Sequence, residues 1–118
     1  MDCNDKTNIL DLIIEQGATF YRKIAMTDSD GVVVDLTGAS ASMQIRADYG
    51  GEIIADSTSN ITLTITEASG FIEVTIAPTV TAAISYREGK YDVEVTYASG
   101  TVERILQGDV VICREVTV

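Results

Sequence analysis

Histidine and tryptophan are absent from the 118-residue sequence, and it contains only one proline and two cysteines. Without histidine the chain lacks the usual general base at neutral pH and the commonest ligand of transition metals. A Ser–His or Cys–His nucleophile is therefore excluded, and two distant cysteines do not make a closed zinc site. No glycine-rich phosphate loop precedes a helix-like segment. These absences predict a protein that is not an enzyme and has no catalytic, cofactor-binding or metal-binding residues.

Basic residues are also scarce, since 8 Lys and Arg stand against 18 Asp and Glu, for a formal net charge of -10. Phosphate groups repel such a chain, so neither nucleic acid nor an anionic membrane is an expected partner. No apolar run approaches the ~20 residues that a membrane helix needs. The N-terminal "MDCNDKTN" is polar and acidic, unlike a secretory signal. We expect the protein to stay in the cytosol or to join an assembly formed there.

The two cysteines, Cys3 and Cys113, do not form a disulfide scaffold. Cys3 stands in a polar segment and Cys113 in a strand-like run, and both are expected to be free in a reducing compartment. A Cys3–Cys113 bridge is the alternative, because the sequence does not place the two residues relative to one another.

The composition favours β-structure throughout. Val and Ile number 26 together, Leu 5 and Thr 14, and side chains branched at Cβ suit a pleated sheet. Short apolar runs alternate with turn signals at a spacing of roughly 8–12 residues, which is typical of a sandwich or barrel. About nine strands are predicted on this basis. A helix-like texture occurs only after Pro78, near residues 79–86, and Gly89 is its candidate stop.

Period-2 alternation predicts which side chains face the core. The segment Thr19–Thr27 places Phe20, Ile24 and Met26 on one face, which we expect to point inward. The clearest alternation runs through "NITLTIT", "FIEVTI" and "KYDVEVTY", and its predicted inward residues are Ile61, Leu63, Ile65, Ile72, Val74, Ile76, Val93 and Val95. "TVERILQGD" is expected to pair antiparallel with the last of these, and "VVICREVTV" to close the chain.

These elements predict an all-β protein with a single domain. The expected architecture is an immunoglobulin-like antiparallel β-sandwich over residues 8–118, with one short helical crossover between the sheets near 79–86. A polar N-terminal tail, residues 1–7, precedes it. A small closed barrel is the alternative architecture.

The segment "DSDG", residues 28–31, allows two interpretations. Asp28 and Asp30 occupy the first and third positions of a calcium loop, but Val32 stands at the fifth and Ala39 at the twelfth, where oxygen ligands are needed. Asp followed by Gly between two β-rich runs instead indicates a hairpin-type turn. We therefore predict a turn that requires no metal.

Two carboxylate pairs are the remaining candidates for chemistry. Asp92 and Glu94 are two residues apart on a predicted strand and share a face, while Glu73 and Glu103 lie on different predicted strands. The sequence indicates no pocket that would perturb either pair. We interpret both as parts of solvated strand faces.

The order of motifs along the chain resembles that of a known group of proteins. "EQGATFYRKIAMTDSDGVVVDLTGASASMQIR" contains, in order, a "QG.TF" opening, a strand, a "D..G" turn, "DLTG" and a closing strand. "SGFIEVTI", "GKYDVEV", "GTVERILQGDVVI" and "REVTV" follow. This order resembles small structural proteins of tailed bacteriophages and prophages, and it is similar to the N-terminal domain of phage upper baseplate proteins. The resemblance covers nearly all of residues 15–118. The chain departs from the pattern at "MDCNDKT" and in lacking a proline before Glu115.

The resemblance implies a virion structural protein that is made in the host bacterial cytoplasm and occurs in several copies per particle. It further implies an assembly or adaptor module of the tail, neck, baseplate or fibre-attachment region, with other virion proteins as partners. A capsid decoration protein is the alternative, and a carbohydrate-binding module or carboxylate hydrolase is a distant one. The resemblance transfers no catalytic residue, and the sequence does not separate tail from capsid.

Overall fold

A computed structural model describes residues 8–47 and 51–114 and shows a mostly β chain with two sheets and one short helix. The predicted all-β class is therefore confirmed. The elements, in chain order, are β1 (Asn8–Ile9), β2 (Leu12–Glu15), β3 (Phe20–Ala25), β4 (Ser40–Arg46), β5 (Ile53–Asp56), β6 (Thr62–Thr66), β7 (Phe71–Ile76), α1 (Pro78–Ala82), β8 (Glu88–Thr96) and β9 (Val102–Cys113).

The strands form a larger and a smaller sheet. In the larger sheet the order is β1-β9-β8-β4-β5, and β2 also pairs with β9. The smaller sheet has the order β3-β7-β6 and is antiparallel throughout. The main core cluster takes Ile14 and Val93 from the larger sheet and Val74 and Ile76 from the smaller one. The two sheets therefore pack face to face in a sandwich-like arrangement.

The N-terminal strands correct the prediction of an antiparallel sandwich. Both β1 and β2 run parallel to β9, with Asn8 opposite Leu106 and Leu12 opposite Val110. Alternation predicts which face of a strand is buried but not the direction of its partner. Direction was predictable only where a short turn joins two strands, as it does for β8 and β9. No such turn links the N-terminal strands to β9.

Most of the predicted inward residues are buried. Ile72, Val74, Ile76, Val93 and Val95 are at most 2% exposed, and Ile61 is buried as well. Leu63 and Ile65 face the core but stay half-exposed, because β6 is the last strand of its sheet. Phe20, Ile24 and Met26 are also only half-buried, and β3 is the other edge of that sheet.

Three local predictions differ from the structure. The helix ends at Ala82 rather than near residue 86, and the chain beyond it inserts Ile84 into the core without helical geometry. The β-rich run that follows the "DSDG" turn, residues 32–36, was expected to be a strand, but it forms a loop with a single bridge between Thr27 and Val33. β9 is one strand of 12 residues, so it contains most of "TVERILQGD" and the first part of "VVICREVTV", which the sequence presented as two runs. The predicted tail 1–7, with Cys3, and the closing residues 115–118 lie outside the described residues.

The single proline begins the helix, where its missing N–H group is not needed. Thr81 then anchors the helix, since its fully buried hydroxyl donates to the carbonyl oxygen of Ala18 at 2.8 Å and accepts from the Gly17 N–H at 3.1 Å. The helix is thereby tied to the turn between β2 and β3. Among the described residues, no helix is long and apolar enough to cross a membrane.

Candidate interaction surface

The "DSDG" segment forms the predicted turn. The Asp28 N–H donates to the carbonyl oxygen of Val32 at 2.8 Å, and the Gly31 N–H donates to that of Asp28 at 3.0 Å. Oδ1 of Asp28 accepts from the N–H groups of Asp30 and Val32 at 2.9 and 3.0 Å. Gly31 has φ of 81°, which glycine adopts cheaply. One carboxylate oxygen of Asp28 is therefore used within the turn itself.

The structure separates one of the two carboxylate pairs and keeps the other together. Asp92 and Glu94 share the outer face of β8, as predicted, and Nε of Arg104 lies 3.3 Å from Oδ2 of Asp92. Glu73 lies on the outer face of the smaller sheet, whereas Glu103 lies on β9 of the larger sheet. Glu73 and Glu103 therefore do not form a pair.

A shallow hollow of about 240 Å³ on the outer face of the larger sheet contains Asp92, Glu94 and Asp56. Oδ1 of Asp56 accepts from the hydroxyl and the N–H of Thr58 at 2.7 and 3.0 Å. These bonds hold the pKa of the Asp56 carboxyl below its usual value, and the bond from the Thr58 hydroxyl has the largest effect. In residues 8–47 and 51–114, no three side chains of His, Cys, Asp or Glu are placed to hold a metal ion.

Three tyrosines donate their hydroxyls to glutamates at the surface. The partners are Tyr21 with Glu73 at 2.6 Å, Tyr86 with Glu52 at 2.6 Å and Tyr97 with Glu103 at 2.8 Å. Burial, and then the bond to Glu103, raises the pKa of Tyr97 to about 12. The first pair joins β3 to β7, the second joins the residue before β5 to the segment before β8, and the third spans the β8–β9 turn, so these contacts connect parts of the fold.

A groove of about 310 Å³, lined by both apolar and polar side chains, lies between β5 and the segment that follows α1. Ile53, Ile54, Val80 and Ile84 contribute its apolar walls, and Tyr86 closes one side. A second apolar patch is formed by Ile13 and Val111, which are opposite each other in the β2–β9 ladder and are 63% and 44% exposed. Both features are candidate contact surfaces for another protein.

Sheet edges are the third kind of contact surface, because unpaired backbone groups can accept a further strand. At the N-terminal edge the strand is divided into pieces of two and four residues. The first part of β9, before Leu106, extends beyond β1 and is therefore also an edge. Its pairing with β8 is irregular, because the register shifts between Val93 and Glu94 of β8. There Glu103, opposite the buried Val95, places a charge on the core-facing side. Short strands, bulges and inward charges are all features that discourage edge pairing.

The edges at β3 and β5 are protected in similar ways. On β3, Arg22 lies opposite the buried Val74 and so carries a charge on the core-facing side. The β5 edge has only four residues and a register shift next to Arg46. The Asp56 N–H at the end of β5 donates to the side chain of Asn60 at 2.8 Å.

The remaining edge, β6, carries none of these features. Its sequence Thr-Leu-Thr-Ile-Thr has no charge, proline or glycine, and its five residues pair with β7 without a register shift. The sequence reasoning did not single out this strand as an edge. The sequence signal that could have identified this edge was the lack of any charged residue over Thr62–Thr66.

In comparisons with known proteins, no protein-family model and no curated protein matches the chain.

Proposed function

We propose that this chain is a structural subunit of a tailed-bacteriophage particle, acting as an assembly or adaptor module of the tail, neck, baseplate or fibre-attachment region. The observation that carries the proposal is the order of motifs from "QGATF" to "REVTV" over residues 15–118. The particle would hold several copies, each in contact with other virion proteins. The protein would act by contact rather than by catalysis.

The positions of the motifs in the fold support this proposal, because residues of the "DLTG" motif are buried or make specific hydrogen bonds. In "DLTG", Leu36 is fully buried, and Oδ1 of Asp35 accepts from both the N–H and the hydroxyl of Thr37 at 2.9 and 2.6 Å. The Gly38 N–H donates to Glu67 at 2.8 Å. The motif therefore joins the β3–β4 loop to the β6–β7 turn, which gives a physical reason for its residue types.

We further propose that the sandwich is of the immunoglobulin type. The separation of β3-β7-β6 from β2-β9-β8-β4-β5 supports this assignment, because immunoglobulin-like domains divide their strands between two sheets in a comparable order. The position of α1, on the connection from the smaller to the larger sheet, is compatible with it. A sandwich of this kind offers edges, flat faces and two clusters of loops for contact with neighbours.

The test is to locate the subunit in intact particles. Particles would be purified with the subunit carrying a small insertion at the exposed turn around Ser99, and the extra density would be found by cryo-electron microscopy. Extra density at the tail, neck or baseplate is the expected result. Density on the capsid shell would instead indicate the decoration role, and absence of the subunit from purified particles would refute a virion role.

A further inference from the structure

The β6 edge (Thr62–Thr66) has its backbone paired on one side only. It pairs with β7, and among the described strands it has no second neighbour. Leu63 and Ile65 face the core but remain half-exposed, while the three threonines point outward and are exposed. A further strand at this edge would cover both apolar side chains and extend the ladder of hydrogen bonds.

The residues of β6 are symmetric about its centre. Antiparallel pairing across a two-fold axis at Thr64 places Thr64 opposite itself, Thr62 opposite Thr66, and Leu63 opposite Ile65. Every pair then joins like with like, threonine with threonine and one branched apolar residue with another. Such cross-strand pairs are favourable, and a two-fold contact needs a self-complementary surface. We propose that a second copy of this chain pairs with the β6 edge in this register, joining the two smaller sheets into one.

The charge distribution permits this contact despite a net charge of -10 on each copy. The β6 edge itself carries no charge, and Glu67 beyond its end already accepts from the Gly38 N–H. The nearest carboxylate on the outer face of β7 is Glu73, opposite Thr64. Three strand spacings would separate the two copies of Glu73, roughly 14 Å, which exceeds the screening length of about 8 Å at physiological salt.

The contact is small, so the dimer is expected to be weak in dilute solution. A five-residue strand pair buries less than the ~1,200 Å² typical of stable complexes. Where several copies are held close together, the effective concentration raises the strength of such a contact. The inference concerns the purified chain and does not depend on the proposed role in a particle.

The register is tested by disulfide trapping in a background with Cys3→Ser and Cys113→Ser. Thr64→Cys places two thiols directly opposite each other, where Cβ atoms are about 4.5–5.5 Å apart, close to disulfide geometry. Thr64→Cys should therefore form a covalent dimer under mild oxidation. Thr62→Cys alone should not, because its two copies lie about 14 Å apart along the strands, but a mixture of Thr62→Cys and Thr66→Cys chains should.

Thr96→Cys is the matched control, because Thr96 is an exposed threonine on β8, a strand with neighbours on both sides. Thr64→Cys is expected to cross-link at least about ten times faster than Thr96→Cys. Equal rates for the two variants would overturn the proposal, as would cross-linking of Thr62→Cys alone at the rate of Thr64→Cys.

Sedimentation of the protein without cysteine substitutions provides the second measurement. Its sedimentation coefficient should rise with concentration, and Thr64→Lys should raise the dimer dissociation constant about tenfold or more by placing like charges opposite each other. Thr96→Lys should leave that constant unchanged, and both variants should keep the thermal melt of the parent. A chain that stays monomeric up to its solubility limit, or a dimer unaffected by Thr64→Lys, would contradict the β6 contact.

Discussion

Replacing Gly108 by alanine should release the N-terminal strands from β9. A Cβ atom at this position would lie 2.3 Å from the carbonyl oxygen of Leu10 and 3.0 Å from Oδ1 of Asp11. The first distance is far below van der Waals contact, and the atom it meets is backbone. The Leu10–Asp11 segment, which joins β1 to β2, must therefore move by about 1 Å or lose its place on β9.

The cost follows from what this segment holds. A shift would weaken two hydrogen bonds, from the Leu10 N–H to Gln107 at 2.9 Å and from the Tyr91 hydroxyl to Leu10 at 2.5 Å. Losing both bonds would cost ~2 kcal/mol, at about 1 kcal/mol each. Full detachment would expose Leu12 and Ile14, which are 3% and 0% exposed, at a cost of ~3–6 kcal/mol. The melting temperature should fall by roughly 8–24 °C, taking about 4 °C per kcal/mol.

The assay is a thermal melt of Gly108→Ala beside Gly31→Ala. Gly31 has a positive φ but no atom within 4 Å of a built Cβ, so its replacement should cost only the ~1–2 kcal/mol of left-handed strain. Hydrogen exchange should then show lost protection at the amides of Leu12–Glu15 in Gly108→Ala and not in the control. A melt of Gly108→Ala equal to that of the parent protein would refute the close approach of these two segments.

Three further predictions address the core, the turn and the tyrosines. Val93→Asp buries an unpaired carboxylate at a site with 0% exposure and should unfold the domain. Asp92→Asn should lower the stability by less than ~1 kcal/mol, because the ion pair of Asp92 is solvent-exposed. Equal melting temperatures for the two variants would show that the faces are misassigned. Calcium should leave the melting temperature unchanged, and a saturable rise that Asp30→Ala abolishes would contradict the metal-free turn. Because burial raises the pKa of Tyr97 from 10.0 to about 12, the stability it contributes is complete below pH 10.0 and is lost as the pH rises through 12. Tyr97→Phe should therefore remove a late step from the tyrosinate absorbance titration, and a folded protein whose tyrosines all ionise near 10.0 would contradict this.

Alternation of residue types was sufficient to predict the buried faces of the central strands. Val93 and Val95 are enclosed by neighbours on both sides of β8, so their period-2 pattern maps directly onto the core. The same pattern over-predicted burial in β6, where Leu63 and Ile65 stay half-exposed. Periodicity describes one strand at a time, and it contains no information on whether a second neighbour is present.

Contacts between residues distant in sequence were beyond prediction. The sequence offers no reason for a glycine at position 108 inside a strand, and only the approach of Leu10 explains the missing side chain. The shift in pairing near Glu94, which leaves Glu103 on the core-facing side, likewise depends on how β8 and β9 match along their whole length. The contrast between protected edges and the β6 edge rests on such features, so it became visible only in the fold.

Removing either end of the chain should leave folding intact and impair assembly. The described core begins after Asn8, and β9 ends at Cys113, so deletion of residues 1–7 or 115–118 removes no residue of that core. Changes outside a core cost within about 0.5 kcal/mol, so each melt should shift by no more than ~2 °C. "EVTV" has the β-branched alternation that can extend a neighbouring sheet, and we expect at least one deletion to lower the number of subunits incorporated per particle. Thr64→Lys provides the comparison, since it blocks the β6 edge while keeping both ends. Normal incorporation of both deletion variants would show that the ends are dispensable, and reduced incorporation of Thr64→Lys alone would then assign the assembly contact to the β6 edge.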